Sequence, residues 1–308
     1  MPISLGLEKR SGGVFGHPWR RGVQMSEHKY AIGFIGTGHI ASIMIRRLVD
    51  SGYLAGDRII VSDSRKLRQH PLPVRVVQEN AEVVRDSRMV VISVTPQKFD
   101  EAAASFRQAC SGDHLFVSLM AGVSTDRIAS TLGNGPIRVV RAMPNLPFGL
   151  GRGVTGLYQG RHASQDDMEE AKHLFRAGGV TVEVENEGLM DAVTAVAGSG
   201  PAYFYYFVEM MMEGGVAAGL KCEDAKVLAA HACVGAGAML LDNGASPAEL
   251  RAAVTSPGGT TQAAMDKLRE CRVAEHVTEA VLAAFRRSQE LGKRCDSSSQ
   301  STAASRSR

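Results

Sequence analysis

A glycine-rich turn between an apolar run and a helical pattern constrains this fold most. Ala31-Ile32-Gly33-Phe34-Ile35 is typical of a buried strand, and apolar residues recur at helical spacing from His39 to about Ser51. Gly36-Thr37-Gly38-His39-Ile40-Ala41 joins the two. In such a unit the first glycine allows a tight turn, the second lets backbone approach a pyrophosphate, and a small last residue permits close packing. Because helix N-termini bind phosphates, the turn predicts dinucleotide binding, with a purely structural glycine turn as the alternative.

Strand-like and helical patterns alternate through the first part of the chain. Further apolar runs lie at 58–62, 74–77, 89–94, 115–120, 137–141 and 181–185, and helical patterns between them include 97–110 and 126–132. This alternation predicts an α/β Rossmann-type domain with a parallel sheet covered on both faces. After Glu187 only helical spacing recurs, and Ser246-Pro247-Ala248-Glu249 has the pattern of a capping box. The second part should therefore be an all-α C-terminal domain.

These patterns divide the chain into four segments. We expect a flexible basic extension at 1–29, an NAD(P)-binding Rossmann domain at 30–187, a helical domain at 188–291 and a disordered, serine-rich tail at 292–308. The helical domain is rich in Ala, Gly and Met on several sides, which is more apolar surface than one chain can cover. It is therefore expected to form a homodimer or larger homo-oligomer.

Composition excludes several other classes of protein. The net charge of +3 comes from the two basic ends, so the body is slightly acidic and unsuited to nucleic acid. The five cysteines form no CxxC pair, which favours reduced thiols and a cytoplasmic location. There is no signal-peptide pattern and no run of about 20 apolar residues that would cross a membrane. The histidines show no metal-ligand spacing, so no metal is expected.

The end of the second strand carries conflicting signals about the cofactor. In Ser62-Asp63-Ser64-Arg65-Lys66, Asp63 would accept hydrogen bonds from the ribose hydroxyls of NADH. Ser62 and Arg65 would instead bind the 2′-phosphate of NADPH. We expect NADPH to be preferred, with NADH as the alternative.

Four blocks of the sequence, spread from about Tyr30 to Leu291, belong to one known pattern. The first is the glycine turn, which many dehydrogenases share. The others are Arg141-Ala142-Met143-Pro144-Asn145, then Asp191-Ala192-Val193-Thr194 with Gly198-Ser199-Gly200-Pro201-Ala202-Tyr203, and finally Ser256-Pro257-Gly258-Gly259-Thr260-Thr261. With these blocks the chain resembles the pyrroline-5-carboxylate reductases, the enzymes that make proline. The last two blocks together are close to diagnostic of that family.

The resemblance implies reduction of the cyclic imine 1-pyrroline-5-carboxylate to L-proline by hydride transfer from NAD(P)H. The exposed backbone N–H groups of the 256–261 loop suit the substrate carboxylate, and Thr261 would lie near the ring nitrogen as the catalytic residue. Glu187 matches a position near the bound amino acid, with a solvated loop carboxylate as the alternative. The expected cofactor-binding residues are Gly36, Thr37, Gly38, His39, Ile40, Ser62, Asp63, Arg65, Asn80, Val94, Thr95, Pro96 and Ala121. The expected substrate-binding residues are Glu187, Ser256, Gly258, Gly259, Thr260 and Thr261.

The sequence departs from the family pattern at three positions. Thr95 stands where the family usually has a lysine beside the cofactor, and Ala253 stands where some members have an asparagine. Leu146 replaces the usual threonine. Two other functions therefore stay open, a related reductase for a different imine and a non-catalytic NAD(P)-binding redox sensor.

Overall fold

The computed structural model describes residues 28–63, 73–133, 135–242 and 244–305, with side chains up to Lys293. The predicted basic extension at 1–29 lies almost wholly outside the described residues, and so does Arg65.

An eight-stranded sheet with the order β3-β2-β1-β4-β5-β6-β7-β8 forms the first part of the fold. Each neighbouring pair is parallel except β6 and β7. The chain leaves β1 for β2 on one side and returns to β4 on the other, so the strand order reverses at β1 and β4. Ligands of such sheets bind beyond the carboxyl ends of the strands at this reversal. The strands are β1 Tyr30–Ile35, β2 Ile59–Ser62, β3 Arg75–Val77, β4 Ser87–Ile92, β5 Leu115–Ser118, β6 Arg138–Met143, β7 Gly153–Gln159 and β8 Gly179–Glu183.

Helices cover both faces of the sheet, as the apolar runs predict. Phe34 and Ile35 are adjacent on β1 and belong to two separate core clusters, because successive side chains of a strand point to opposite faces. The helices of this part are α1 His39–Asp50, α2 Asn80–Asp86, α3 Phe99–Phe106, α4 Thr125–Leu132 and α5 Gln165–Arg176. The α/β prediction is therefore confirmed for this part of the fold.

One pair of strands departs from the predicted parallel arrangement. Strand β7 pairs antiparallel with β6 and was not predicted from the sequence. Its sequence Gly-Val-Thr-Gly-Leu-Tyr-Gln has no continuous apolar run. The glycine at 156 is needed for packing, since a Cβ there would lie 2.3 Å from Cγ1 of Val193. This close approach depends on a helix distant in sequence, which a local pattern does not contain.

Only helices occur among the described residues after β8. They are α6 Leu189–Val193, which continues into a π-helical segment Thr194–Gly198, then α7 Gly200–Ala217, α8 Cys222–Asp242, α9 Pro247–Ala253, α10 Thr260–Glu270 and α11 Val273–Ser305. The capping box at Ser246 and Glu249 is present, with both reciprocal hydrogen bonds. The all-α prediction is confirmed, while the exact domain boundaries stay predictions.

The structure describes a helix over most of the tail at 292–308, whose disorder stays a prediction. Helix α11 continues without interruption through 292–305. No proline or glycine follows Gly292, and extending an existing helix avoids the unfavourable nucleation step. The serine-rich composition does not predict this helix, because the helix continues from a packed segment that precedes it.

Helix α11 packs closely on the loop between β5 and α4, through a contact between two glycines. A Cβ on Gly292 would lie 2.4 Å from the carbonyl oxygen of Gly122, in the loop between β5 and α4. Nearby, the buried Ser288 hydroxyl donates to the Asp191 carboxylate at 2.6 Å. The helical part is thus fastened to the loop that carries Ala121.

We expect Gly292→Ala to lower the free energy of unfolding by about 1–3 kcal/mol, the usual cost of overpacking. The added methyl group would clash with the backbone of Gly122, which has no flexible side chain that could rotate out of the way. Urea unfolding at fixed protein concentration measures the change. Gly112→Ala is the matched control, because nothing lies within 4 Å of a Cβ at Gly112. An unchanged unfolding midpoint for Gly292→Ala would contradict the close contact.

Candidate active site

A cleft with a volume of about 330 Å³ opens where the strand order reverses. It is bounded by the glycine turn, the end of β2, the loop before α2, the end of β4 and one side of α3. The lining residues are Gly36, Thr37, Gly38, Ser62, Asp63, Gln78, Asn80, Ser93, Val94, Thr95, Lys98, Glu101, Ala102 and Ser105. Eight of the predicted cofactor residues line the cleft, and one of them is Thr95, which departs from the family pattern.

The glycine turn leaves the start of α1 open. Gly36 has φ +87°, which favours glycine, and its N–H donates to the Ser62 carbonyl at 3.0 Å. Gly38 is the N-cap of α1 and provides no side-chain acceptor for the first N–H groups. A Cβ on Gly38 would meet only the Ser93 carbonyl oxygen, at 3.7 Å. The first turn of α1 therefore has uncapped N–H groups next to the cleft-lining Gly38, an arrangement that suits phosphates. The predicted cofactor residues His39 and Ile40 lie in this turn but do not themselves line the cleft.

Hydrogen bonds fix the polar groups at the end of β2. The Thr37 hydroxyl donates to the Asp63 carboxylate. The buried Ser62 hydroxyl donates to Oδ1 of Asn80 at 2.5 Å, and Nδ2 of Asn80 donates to the Ser105 hydroxyl at 2.9 Å. The Ser62 hydrogen is thus engaged within the protein, while Asp63 borders the cleft where the adenosine ribose of a dinucleotide lies.

The structure adds residues that the sequence analysis missed. Gln78 and Ser93 follow β3 and β4 directly, and the others lie on α3 and the turn before it. These others, Lys98, Glu101, Ala102 and Ser105, are spaced as one side of a helix. This helical spacing, just after the fourth strand, is the signal in the sequence that could have identified them. Pro96 starts the 3₁₀ turn Pro96–Lys98 and Ala121 lies in the β5–α4 loop, and neither lines the cleft.

The 256–261 loop, predicted to bind substrate, begins a helix as expected but does not line the cleft. Gly258 has φ +71°, and the Gly259 N–H donates to the Ser256 carbonyl at 3.0 Å. Gly259 is the N-cap of α10 and no side chain caps that helix, whose first residues are Thr260 and Thr261. Ser256, Gly258 and Thr260 are exposed. None of the loop residues is among the cleft-lining residues.

Glu187 lies in a cluster between the two parts of the fold. Its carboxylate accepts from the Thr125 N–H at 2.7 Å and the Thr125 hydroxyl at 3.0 Å. The buried Arg141 lies 3.5 Å from Glu187 and 3.6 Å from Asp191. The alternative of a solvated loop carboxylate is therefore wrong. A role for Glu187 toward substrate stays a prediction.

The described side chains offer little for nucleophilic or metal chemistry. Burial raises the pKa of the Cys110 thiol to about 12, so this cysteine is a poor nucleophile. Burial lowers the pKa of His114, whose ring lies 3.0 Å from the Val84 carbonyl. Among the described residues, no group of three or more His, Cys, Asp or Glu could hold a metal ion. The arrangement suits binding and orientation of a dinucleotide more than covalent catalysis.

Comparisons with known proteins identify the family. Residues 187–291 match the family model for pyrroline-5-carboxylate reductase dimerisation, and 31–122 match that for NADP oxidoreductase, coenzyme F420-dependent. Pyrroline-5-carboxylate reductase of Methanosarcina acetivorans is 36% identical, over 85% of this chain and 98% of its own. The Synechocystis enzyme is 38% identical over the same shares.

Solved structures of the same name share the fold. The Coxiella burnetii protein is 32% identical with a TM-score of 0.77, over 86% of this chain and 99% of that one. The Plasmodium falciparum protein, solved with NADP bound, has a TM-score of 0.80 at 24% identity, over 87% of this chain and 100% of that one. Given relatives above 30% identity along almost their whole length, this chain belongs to the pyrroline-5-carboxylate reductase family.

Proposed function

We propose that this chain reduces 1-pyrroline-5-carboxylate to L-proline, with NADPH as the preferred hydride donor and NADH as an alternative. The open N-terminus of α1 in the cleft carries the proposal, because it provides the phosphate site that any such reductase needs. The curated relatives are named for this reaction. The reaction would be the last step of proline biosynthesis.

The residues of the cleft fit a dinucleotide. The first N–H groups of α1 would hold the pyrophosphate, and Asp63 would face the adenosine ribose. Val94 and Thr95 would line the cleft between the glycine turn and the nicotinamide end of the cofactor. When bound, the cofactor supplies the hydride.

The substrate would be held through its carboxylate by the backbone N–H groups of the 256–261 loop. The Thr261 hydroxyl oxygen would accept a hydrogen bond from the ring N–H⁺ and so orient the imine carbon. A protonated cyclic imine is already electrophilic, so no strong general acid is required. Proximity and orientation can supply roughly 7–11 kcal/mol in favourable cases. This fits a site of hydroxyls and backbone donors.

A homodimer or larger homo-oligomer would cover the apolar surface of the helical part. Phe204, Tyr206 and Leu241 are 60%, 62% and 91% exposed in the single chain. Helix α8 is long and apolar enough to cross a membrane by length and composition, yet it begins with Glu223 and Asp224. It also lies within the match to the dimerisation family. We therefore assign it to a protein interface, in a cytoplasmic protein without membrane or nucleic-acid partners.

Light scattering at micromolar concentration should give the mass of a dimer or larger assembly. Exposed apolar area of this kind is normally buried by association. A partner would also bring a second substrate loop, which is separate from the cleft in one chain. A monomeric mass in buffer without detergent would contradict the proposed interface.

The function is tested by following NADPH oxidation with pyrroline-5-carboxylate beside a panel of other cyclic and acyclic imines. Proline formation confirmed by chromatography would establish the proposed reaction. Turnover of another imine alone would favour the second candidate, which Thr95 and Ala253 motivate. Cofactor binding without turnover of any imine would favour the redox sensor.

A further inference from the structure

One side of α3 faces the cleft with a mixed set of charges. Lys98, Glu101, Ala102 and Ser105 follow one another at helical spacing and all line the cleft. Ser105 is linked through Asn80 to Ser62 at the end of β2. This side of α3 therefore lies opposite the end of β2, where the adenosine ribose binds in this fold.

Lys98 is the one cation among the described lining residues, against the carboxylates of Asp63 and Glu101. It is exposed, and no described acidic side chain forms an ion pair with it. A lysine on a flexible stem can adjust to a phosphate as a point charge. An incoming dianion needs such a charge here, because the other charged residues of the described lining, Asp63 and Glu101, are both negative.

We propose that Lys98 binds the ribose 2′-phosphate and so selects NADPH over NADH. The pyrophosphate already has the N–H groups of α1, and Lys98 lies on the same side of α3 as Ser105, which is linked through Asn80 to Ser62 at the end of β2. Glu101, one turn further along, opposes the same phosphate and keeps the preference modest. The inference rests on the proposed function, since it assumes that the cleft holds a dinucleotide.

The test compares dissociation constants of NADPH and NADH by fluorescence titration of the full-length chain. Lys98→Gln should weaken NADPH binding roughly tenfold, the loss of one charge-assisted contact at a partly solvated site, and leave NADH within about twofold. The fragments 2′,5′-ADP and 5′-AMP, used as competitors, should show the same difference without the nicotinamide. Glu101→Gln should strengthen NADPH binding.

Two variants serve as controls. Lys98→Arg should keep the preference, since the positive charge is retained. Arg107→Gln removes an exposed cation just after α3 that does not line the cleft, and should leave both affinities unchanged.

If Lys98→Gln weakens the binding of NADPH and NADH equally, the lysine lies at the pyrophosphate and the inference is overturned. No change in either affinity would overturn it as well. Failure of the unmodified protein to bind either cofactor would instead defeat the proposed function. A wild-type enzyme that makes proline, beside a Lys98→Gln variant with unchanged preference, would defeat only the role of Lys98.

Discussion

The Gly38→Val variant should lose roughly a hundredfold or more in NADPH affinity, because several charge-assisted hydrogen bonds to the pyrophosphate, each about 1.5–3 kcal/mol, depend on close approach to this backbone. The fold should tolerate the change. Gly38 has φ −62° and ψ 178°, an extended conformation open to any residue. The first atom of a new side chain would meet only the Ser93 carbonyl oxygen, at an ordinary 3.7 Å. The valine would instead occupy the space that the phosphates need.

Fluorescence titration with NADPH measures the loss, and circular dichroism with thermal unfolding verifies the fold. Gly38→Ala should give a smaller loss, in proportion to the smaller side chain. Gly36 is an unsuitable control, since its φ of +87° would strain any replacement. Gly112→Val, away from the cleft, should leave binding unchanged. NADPH affinity within threefold of wild type in Gly38→Val would disprove the assignment of the glycine turn.

The Thr261→Val variant should lower kcat/KM for the imine by about 1.5–3 kcal/mol, the contribution of a hydrogen bond to a charged group. Valine keeps the β-branched shape and removes only the hydroxyl. The N-cap of α10 is Gly259 and no side chain caps the helix, so the Thr261 hydroxyl has no capping role that its removal would abolish. Thermal stability should therefore be nearly unchanged, and the affinity for NADPH should stay the same.

Steady-state kinetics with saturating NADPH measure the loss in kcat/KM, and the unfolding midpoint measures any loss of stability. Thr278→Val is the matched control, because its hydroxyl donates to the Ala274 carbonyl within α11 and it lies outside the 256–261 loop. A near-wild-type kcat/KM in Thr261→Val would make this threonine an ordinary residue of the helix start. A loss of stability equal to the kinetic loss would also contradict the role proposed here.

Several local features could be predicted because their cause is local. The strand, glycine turn and helix at 30–50 follow from apolar spacing and from the backbone freedom of Gly36. The capping box at Ser246 depends on residues three apart, and it forms as predicted. The all-helical second part follows from the spacing of Ala, Leu, Met and Val. Most of the residues that line the cleft could therefore be predicted from the sequence. The lining residues on α3 could have been predicted as well, from their helical spacing alone.

Local sequence patterns were sufficient to predict the Rossmann-type unit, its glycine turn and the helical second part. They did not predict the antiparallel strand β7, the hydrogen bonds that link Ser62, Asn80 and Ser105, or the cluster of Glu187 with Arg141. They also did not predict that α11 continues past Gly292, where it packs on Gly122. The difference lies in how far apart the contacting residues are along the chain. Periodicity and capping involve neighbours within a few residues, whereas these contacts join residues that folding alone brings together.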